Sequence, residues 1–176
     1  ATHKSRSLRI WCSDKSQPFT LVGVECDADS SMGQTEADCF ARQGFILSVR
    51  TRLETSSGVY EDAKVTTSWK SGLQSTISVS STEAEIVAAS WATRAMLPLH
   101  YVIEELFGIL DQASSVSTPV LFQDNESACA CAQGRSMRRL RHLTLHQLYV
   151  RFACKDGRIR IRPKRTTVMT ADILTK

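Results

Sequence analysis

Residues 19–29 read FTLVGVECDAD, and this stretch decides the interpretation of the fold. Apolar or small side chains (Val22, Val24, Cys26 and Ala28) alternate with acidic ones (Glu25, Asp27 and Asp29). A period of two is the pattern of a β-strand that buries one face and exposes the other. The sequence therefore predicts a first strand whose second face carries carboxylates.

Downstream of this strand, GFILSV (44–49) and KVTTSW (64–69) predict two more short strands, joined by a turn at 56–58, so the chain opens with an antiparallel meander. A long helix is predicted over 80–107, because Ser80 and Glu83 have capping-box spacing. Pro98 is expected to kink or restart this helix.

The second half alternates strands and helices. It is predicted to contain a strand at 119–123, a helix from 124 to 133, a basic amphipathic helix at 136–154, a strand at 158–162 and a last helix from residue 170. In the 136–154 helix, the apolar stripe consists of Leu145, Leu148, Tyr149 and Phe152. The fold class is therefore α/β.

Composition bounds the class of protein. The 176 residues suit one domain, placed at 19–176 after a polar tail at 1–18, and 42% hydrophobic content is enough for a core. No stretch approaches the roughly 20 apolar residues of a membrane span, and the N-terminus lacks the apolar core of a signal peptide. We expect an intracellular protein, cytoplasmic or nuclear, with reduced cysteines and no membrane partner.

The charge is unevenly distributed. Residues 1–132 carry 10 Lys and Arg against 16 Asp and Glu, a net charge of −6, whereas residues 133–176 carry 12 against 2, a net charge of +10. A basic segment of this kind is typical of a polyanion-binding surface, and equally of plain solvated surface. The candidate nucleic-acid-binding residues are Arg138, Arg139, Arg141, Arg158, Arg160, Arg162, Lys164 and Arg165.

Four acids each lie at the end of a predicted element: Asp27, Glu85, Asp124 and Asp172. Strand ends and helix starts gather at one edge of an α/β sheet, so these carboxylates can converge. Clustered carboxylates repel one another unless a cation lies among them, and oxygen ligands suit Mg²⁺ or Mn²⁺. Two such ions roughly 4 Å apart could promote phosphodiester hydrolysis.

Structural explanations exist for each acid. Asp124 could be an N-cap, Glu85 half of a capping box, Asp172 a partner of a helix dipole and Asp27 a solvated strand residue. Because Glu85 shares a helix face with small alanines that can lie against a sheet, it is the better ligand and Glu83 the better cap. Asp27 and Asp29 share a strand face, and their spacing alone does not separate them.

Five motifs in order carry a resemblance: DAD (27–29), SWKS (68–71), SSTEAE (80–85), DNES (124–127) and ADILTK (171–176). Over about residues 20–176, the chain resembles the ribonuclease H domain of copia-type retrotransposon polyproteins. The resemblance implies a ribonuclease H-like fold, a five-stranded mixed sheet with helices on both faces. It implies cleavage of the RNA strand of RNA–DNA hybrids with two Mg²⁺ ions, for which Mn²⁺ can substitute.

The resemblance also implies site residues and a context. The positions that match the family's metal ligands are Asp27, Glu85, Asp124 and Asp172, with the first acid of DAD as the ligand. Residues 1–18 would then be the remnant of a polymerase or connection region, and a reverse transcriptase region of the same polyprotein would be a partner. The chain departs from the family at Ser30, where a Trp is usual, and at Thr144, where an Asp is usual.

Two hypotheses follow from the sequence. The first is a metal-dependent endonuclease acting on RNA–DNA hybrids, without a side-chain nucleophile. The second is a recruited, non-catalytic domain of the same fold that serves as a structural or nucleic-acid-binding subunit. A related integrase fold is disfavoured, because Glu85 follows directly after the first three strands instead of lying on a late helix.

Overall fold

A computed structural model describes residues 19–33, 39–54, 60–109, 116–135, 143–145 and 147–176. Five strands form one mixed sheet in the order β3-β2-β1-β4-β5. They are β1 (Phe19–Ser31), β2 (Arg42–Glu54), β3 (Tyr60–Leu73), β4 (Ser117–Gln123) and β5 (Arg160–Pro163). β1, β2 and β3 form the expected antiparallel meander, whereas β4 runs parallel to β1 and β5 runs parallel to β4.

The described residues include three α-helices, α1 (Ser81–Ile109), α2 (Glu126–Ala132) and α3 (Tyr149–Lys155). Of these, α1 and α2 pack on the sheet, and α3 packs against those two helices. The alternation in β1 has the predicted effect, because Val24, Cys26 and Ala28 are buried in one core cluster to which all three α-helices contribute. Burial of this continuous apolar surface is the main stabilising contribution to the fold.

The other face of the sheet is covered at one end by a short C-terminal helix. Two 3-10 helices, Thr166–Val168 and Thr170–Leu174, follow β5, and the second contacts β1 and β2. Gly44 permits this approach, since a Cβ atom there would lie 2.7 Å from the Cβ of Leu174. The predicted five-stranded mixed sheet with helices on both faces is therefore confirmed.

The basic helix predicted at 136–154 is confirmed from Tyr149 onward and is wrong at the described residues before it. Residues 143–145 and 147–148 form turns, and the helix begins at Tyr149. The amide and hydroxyl of Thr144 each donate to the side-chain oxygen of Gln147 at 2.9 Å, and the amide of Gln147 approaches the Thr144 hydroxyl at 3.4 Å. Such local bonds compete with helix formation.

The predicted apolar stripe of that helix is confirmed at Leu148 and Tyr149, which lie in or against the core, and wrong at its other two members. Leu145 is 73% exposed and Phe152 is 41% exposed, whereas Val150 and Ala153 are fully buried. The buried face of α3 is thus rotated relative to the expected stripe. The helix begins later than expected, and Val150 and Ala153 are the residues that it buries.

Two other helix expectations changed. α1 continues through Pro98 without a restart, and Pro98 lies on the exposed side, where solvent can satisfy the carbonyl that its ring leaves unpaired. The last helix is 3-10 instead of α. The turn at 56–58 and the tail at 1–18 lie outside the described residues. Within the described chain, five cysteines are free, and no helix is both long and apolar enough to cross a membrane.

Candidate metal centre

Three carboxylates from separate elements meet at one edge of the sheet. Asp29 lies near the end of β1, Glu85 in the first two turns of α1, and Asp124 directly after β4. One carboxylate oxygen from each can be chosen so that all three lie within 4.8 Å of one another. Acids that are far apart in the sequence therefore form one cluster, which we call the carboxylate cluster.

The register of the parallel β1–β4 pair explains this meeting. Asp27 is the register partner of Phe122. Two residues further along each strand come Asp29 and Asp124, so the chain brings these two acids side by side at the carboxyl ends of neighbouring strands. Ligand sites of α/β sheets commonly form at this edge.

Burial and mutual repulsion disfavour the ionised forms of two of the three acids. Burial is the largest cause that raises the pKa of Glu85 from 4.5 to about 8, and the charges of Asp29 and Asp124 raise it as well. Burial likewise raises the pKa of Asp29, with further contributions from Asp124 and Asp172. Both residues are 5% exposed. The cluster thus gathers acids where little solvent screens their charges, so their full ionisation is disfavoured unless a cation is bound.

Local capping leaves Glu85 and Asp124 available. The side chain of Asn125, not that of Asp124, caps α2 by accepting from the amide of Ala128 at 3.0 Å. At the start of α1, the Ser80 hydroxyl accepts from the Glu83 amide at 3.2 Å. The capping explanations considered for Glu85 and Asp124 therefore do not account for these residues.

Asp27 lies outside the carboxylate cluster, although it was predicted as the first ligand. It is 0% exposed, and its two carboxylate oxygens accept from the Lys164 ammonium at 2.8 and 2.7 Å. The Thr170 hydroxyl also donates to Asp27, and the Lys64 ammonium lies 3.9 Å away. In this structure, therefore, the Asp27 carboxylate is paired with cationic side chains and not grouped with the other acids.

Asp172 lies beside the cluster but is not one of its three members. Its carboxylate pairs with the Lys176 ammonium, an exposed group, while its charge contributes to the raised pKa of Asp29. The structure thus brings together two of the four predicted acids, Glu85 and Asp124, and adds Asp29.

The family departure at Ser30 has a local role. Hydrogen bonds with the side chain and backbone of Ser30 oppose the upward shift of the Glu85 pKa. Thr144, the other departure, takes part in the turn before α3, where Gln147 also donates to Thr76 at 3.0 Å. Neither substitution removes a member of the carboxylate cluster.

The predicted basic residues have different surroundings. Lys164 is held by Asp27, and Arg158 contacts Asp156 at 3.2 Å and the Tyr149 hydroxyl at 3.3 Å. Exposed members remain on and after β5, namely Arg160, Arg162 and Arg165. The other three candidates, Arg138, Arg139 and Arg141, lie outside the described residues.

The β5 arginines border two features. Arg160 and Arg162, together with Arg151 and Lys155, line a recess of about 530 Å³ that has no acidic lining residue. Arg162 is also the register partner of Phe122, two residues before Asp124. Exposed positive charge therefore runs along the sheet edge toward the carboxylate cluster.

The donor set of the cluster fits a hard divalent cation. Carboxylate oxygens are the ligands that Mg²⁺ and Mn²⁺ prefer. Among the described residues, no lysine or arginine lies within 4.0 Å of the carboxylates of Asp29, Glu85 or Asp124 to supply the opposing charge. Asp29, Glu85 and Asp124 could therefore hold such an ion.

Two ribonuclease H structures are among the solved structures to which this chain is similar. The N-terminal ribonuclease H domain of Rv2228c from Mycobacterium tuberculosis, solved as a fusion with maltose-binding protein, is 15% identical. The match has a TM-score of 0.49 and covers 88% of this chain and 91% of that one. LC11-RNase H1, solved in complex with an RNA/DNA hybrid, is 13% identical with a TM-score of 0.44, covering 86% of this chain and 92% of the other.

No protein-family model and no curated protein matches the chain. Both TM-scores lie below 0.5, so neither similarity is used as evidence for a function of this chain.

Sequence reasoning missed the neutral side chains around the cluster. Gln123, Thr166 and Thr175 each donate a hydrogen bond to one of its carboxylates. Only Gln123 carried a signal, since it adjoins Asp124 at the end of a predicted strand. The two threonines lie far along the chain, and no spacing rule connects them to the acids.

Proposed function

We propose that the protein is a metal-dependent endonuclease that hydrolyses the RNA strand of RNA–DNA hybrids. The observation that carries the proposal is the carboxylate cluster, in which two buried acids and Asp124 meet without a cationic side chain among the described residues. The five ordered motifs shared with retrotransposon ribonuclease H domains supply the substrate class.

Asp29, Glu85 and Asp124 would hold the metal, and Asp29 takes the place predicted for Asp27. Asp172 would complete a second site once it leaves Lys176, an exposed partner that offers little opposition. Divalent ions bound here supply an activated water and stabilise the leaving oxygen, which yields 3′-hydroxyl and 5′-phosphate ends. No side-chain nucleophile is needed.

The exposed arginines would bind the phosphate backbone. Arg165 adjoins Thr166, whose hydroxyl donates to Asp124 at 3.0 Å. Arg162 lies three residues before Arg165, so both arginines are near the carboxylate cluster along the chain. Contacts with phosphates give affinity without sequence preference, and a protein distinguishes RNA by its 2′-hydroxyls. An RNA–DNA hybrid is an intracellular substrate, so we extend the proposal to a location in the cytoplasm or nucleus. The resemblance to retrotransposon ribonuclease H domains adds a reverse transcriptase region of the same polyprotein as a proposed partner.

A cleavage assay tests the proposal. A labelled RNA–DNA hybrid is incubated with the protein in Mg²⁺ or in EDTA, with double-stranded DNA as the substrate control. We expect Mg²⁺-dependent cutting of the RNA strand that Asp124→Asn abolishes and Asp62→Asn retains, because Asp62 is an exposed acid paired with Arg52. Cleavage by Asp124→Asn at the unmodified rate would refute the assignment.

The same assay addresses the second candidate, a non-catalytic subunit. That candidate predicts hybrid binding without metal-dependent cleavage. A binding measurement at two salt concentrations then reports on the arginines: Arg160→Gln with Arg162→Gln should weaken hybrid binding and reduce its salt dependence. Arg52→Gln, which removes an exposed arginine paired with Asp62, serves as the matched control.

A further inference from the structure

Each carboxylate of the cluster accepts a hydrogen bond from an uncharged side chain at the end of β4 or after β5, and Glu85 also bonds with Ser30. The pairs are Thr175 with Asp29, Gln123 with Glu85, and Thr166 with Asp124. The donors are two hydroxyls and one amide, and they come from two regions, the end of β4 and the segment after β5. Three acids on three elements thus share one kind of neighbour.

The uncharged nature of the donors has a physical consequence. A hydroxyl or an amide fixes the orientation of one carboxylate oxygen and leaves the negative charge in place. A lysine or arginine at the same position would neutralise the acid and compete with a bound cation, as Lys164 does at Asp27. Neutral donors are therefore the type of neighbour that can orient a ligand while keeping it available for a metal.

Gln123 is the most informative of the three. Its side chain is 0% exposed at the end of β4, and its amide nitrogen donates to Glu85. The Gln123 side-chain oxygen is buried without a hydrogen-bond partner among the described residues. Burying an amide that is only half satisfied opposes folding. The bond that Gln123 does make is the one to Glu85, whose carboxylate it orients.

Thr175 has similar constraints. It is 4% exposed, and its hydroxyl lies near both the carboxylate of Asp29 and, at 3.1 Å, the carbonyl of Asp172. A hydroxyl has a single hydrogen, and an ionised carboxylate is the stronger acceptor. Thr175 therefore couples the C-terminal 3-10 helix to the acid on β1.

We propose that Gln123, Thr166 and Thr175 are positioning residues that hold the three carboxylates in a geometry ready to bind a divalent cation. This inference rests on the proposed metal-dependent function. Groups that orient metal ligands commonly contribute about 10-fold to 100-fold to metal affinity. The three side chains are expected to act on metal binding itself, before any step of hydrolysis.

The test measures Mn²⁺ binding directly, by calorimetry, on folded protein without nucleic acid. Thr175→Val and Thr166→Val remove a hydroxyl at nearly constant volume, and Gln123→Leu removes the amide. We expect each to weaken Mn²⁺ binding by about 10-fold or more. Thr175→Ser and Thr166→Ser, which keep the hydroxyl, should bind within about threefold of the unmodified protein.

Thr93→Val is the matched control. Thr93 is buried, and its hydroxyl donates at 2.8 Å to the carbonyl of Ala89 within α1 instead of to a carboxylate. This variant should bind Mn²⁺ with the affinity of the unmodified protein. A loss of Mn²⁺ affinity seen at the three positions but not at Thr93 is then not explained by a general loss of stability. Thr166 is exposed, which makes Thr166→Val the variant that best retains the fold.

The outcomes separate the two proposals. Unaltered Mn²⁺ affinity in the valine and leucine variants, with Asp124→Asn losing it, overturns the positioning role and leaves the nuclease proposal standing. Absence of Mn²⁺ binding by the unmodified protein overturns both. Loss of affinity in Thr175→Val with recovery in Thr175→Ser supports the inference, because a merely space-filling residue would not distinguish valine from serine in this way.

Discussion

Asp27 and Asp29 lie two residues apart on the same face of β1, yet their surroundings are opposite. Asp27 is fully buried against the Lys164 ammonium, with Lys64 also within 3.9 Å. Asp29 lies against Glu85 and Asp124, which are acids like itself. The comparison shows that the neighbours of an acid, more than its position on a strand, decide whether it becomes part of an ion pair or of a carboxylate cluster.

The largest expected effect concerns catalysis. Asp29→Asn should lower hybrid cleavage by about a thousandfold or more, because losing one ligand removes several kcal/mol of transition-state stabilisation. Asp27→Asn should retain cleavage in whatever fraction of the protein stays folded. Rates measured per folded molecule, with circular dichroism to count that fraction, check the prediction. The reverse pattern would restore Asp27 as the ligand.

The second effect concerns stability. Lys164→Met should lower the free energy of unfolding by about 3 kcal/mol, because it leaves a buried carboxylate uncompensated. The exposed Lys155, replaced in the same way, provides the control. Denaturant unfolding at pH 7 measures both, and the double variant Asp27→Asn with Lys164→Met should recover much of the loss. Equal losses for the two lysines would show that the ion pair is not structural.

The third effect concerns pH. Since the pKa of Glu85 is raised from 4.5 to about 8, the folded state keeps a proton that the unfolded chain releases, so stability without metal falls as pH rises through this window. The slope is at most about 1.4 kcal/mol per pH unit for this one proton.

Unfolding measured between pH 6.5 and 8 in EDTA checks this slope. His100, whose pKa burial lowers from 6.5, acts in the opposite direction mainly below this range. Glu85→Gln should flatten the profile, and saturating Mg²⁺ should do the same by favouring the ionised acid. A profile for Glu85→Gln as steep as that of the unmodified protein would contradict the explanation.

The smallest effect is a difference in stability between variants of two adjacent residues: Asn125, which caps α2, and Asp124, which belongs to the carboxylate cluster. Asn125→Ala should lower stability by about 1 kcal/mol through loss of the bond to the Ala128 amide. Asp124→Ala loses no cap and removes a repelling charge, so it should lower stability less. Thermal unfolding without metal compares the two variants. If Asp124→Ala were the more destabilising, the capping role would return to Asp124.

Much of the fold was predictable because it depends on local pattern. The alternation in β1 and the signal from Ser80 and Glu83 at the start of α1 both appear in short windows of sequence. The interval before α3 was mispredicted, because the bonds between Thr144 and Gln147 compete with a helix that the apolar spacing favoured. Tertiary contacts then selected Val150 and Ala153 as the buried positions.

The sequence by itself determined that acids lie at the ends of elements, that Glu83 is a better cap for α1 than Glu85, and that the basic charge is concentrated after residue 132. These conclusions need only local spacing and composition. Tertiary structure alone decided that Asp29 meets Asp124 while Asp27 meets Lys164, and that Thr166 and Thr175 reach the cluster. The physical reason is register: the pairing of β1 with β4 and the path of the chain after β5 are set by contacts between segments about a hundred or more residues apart, which no local pattern encodes.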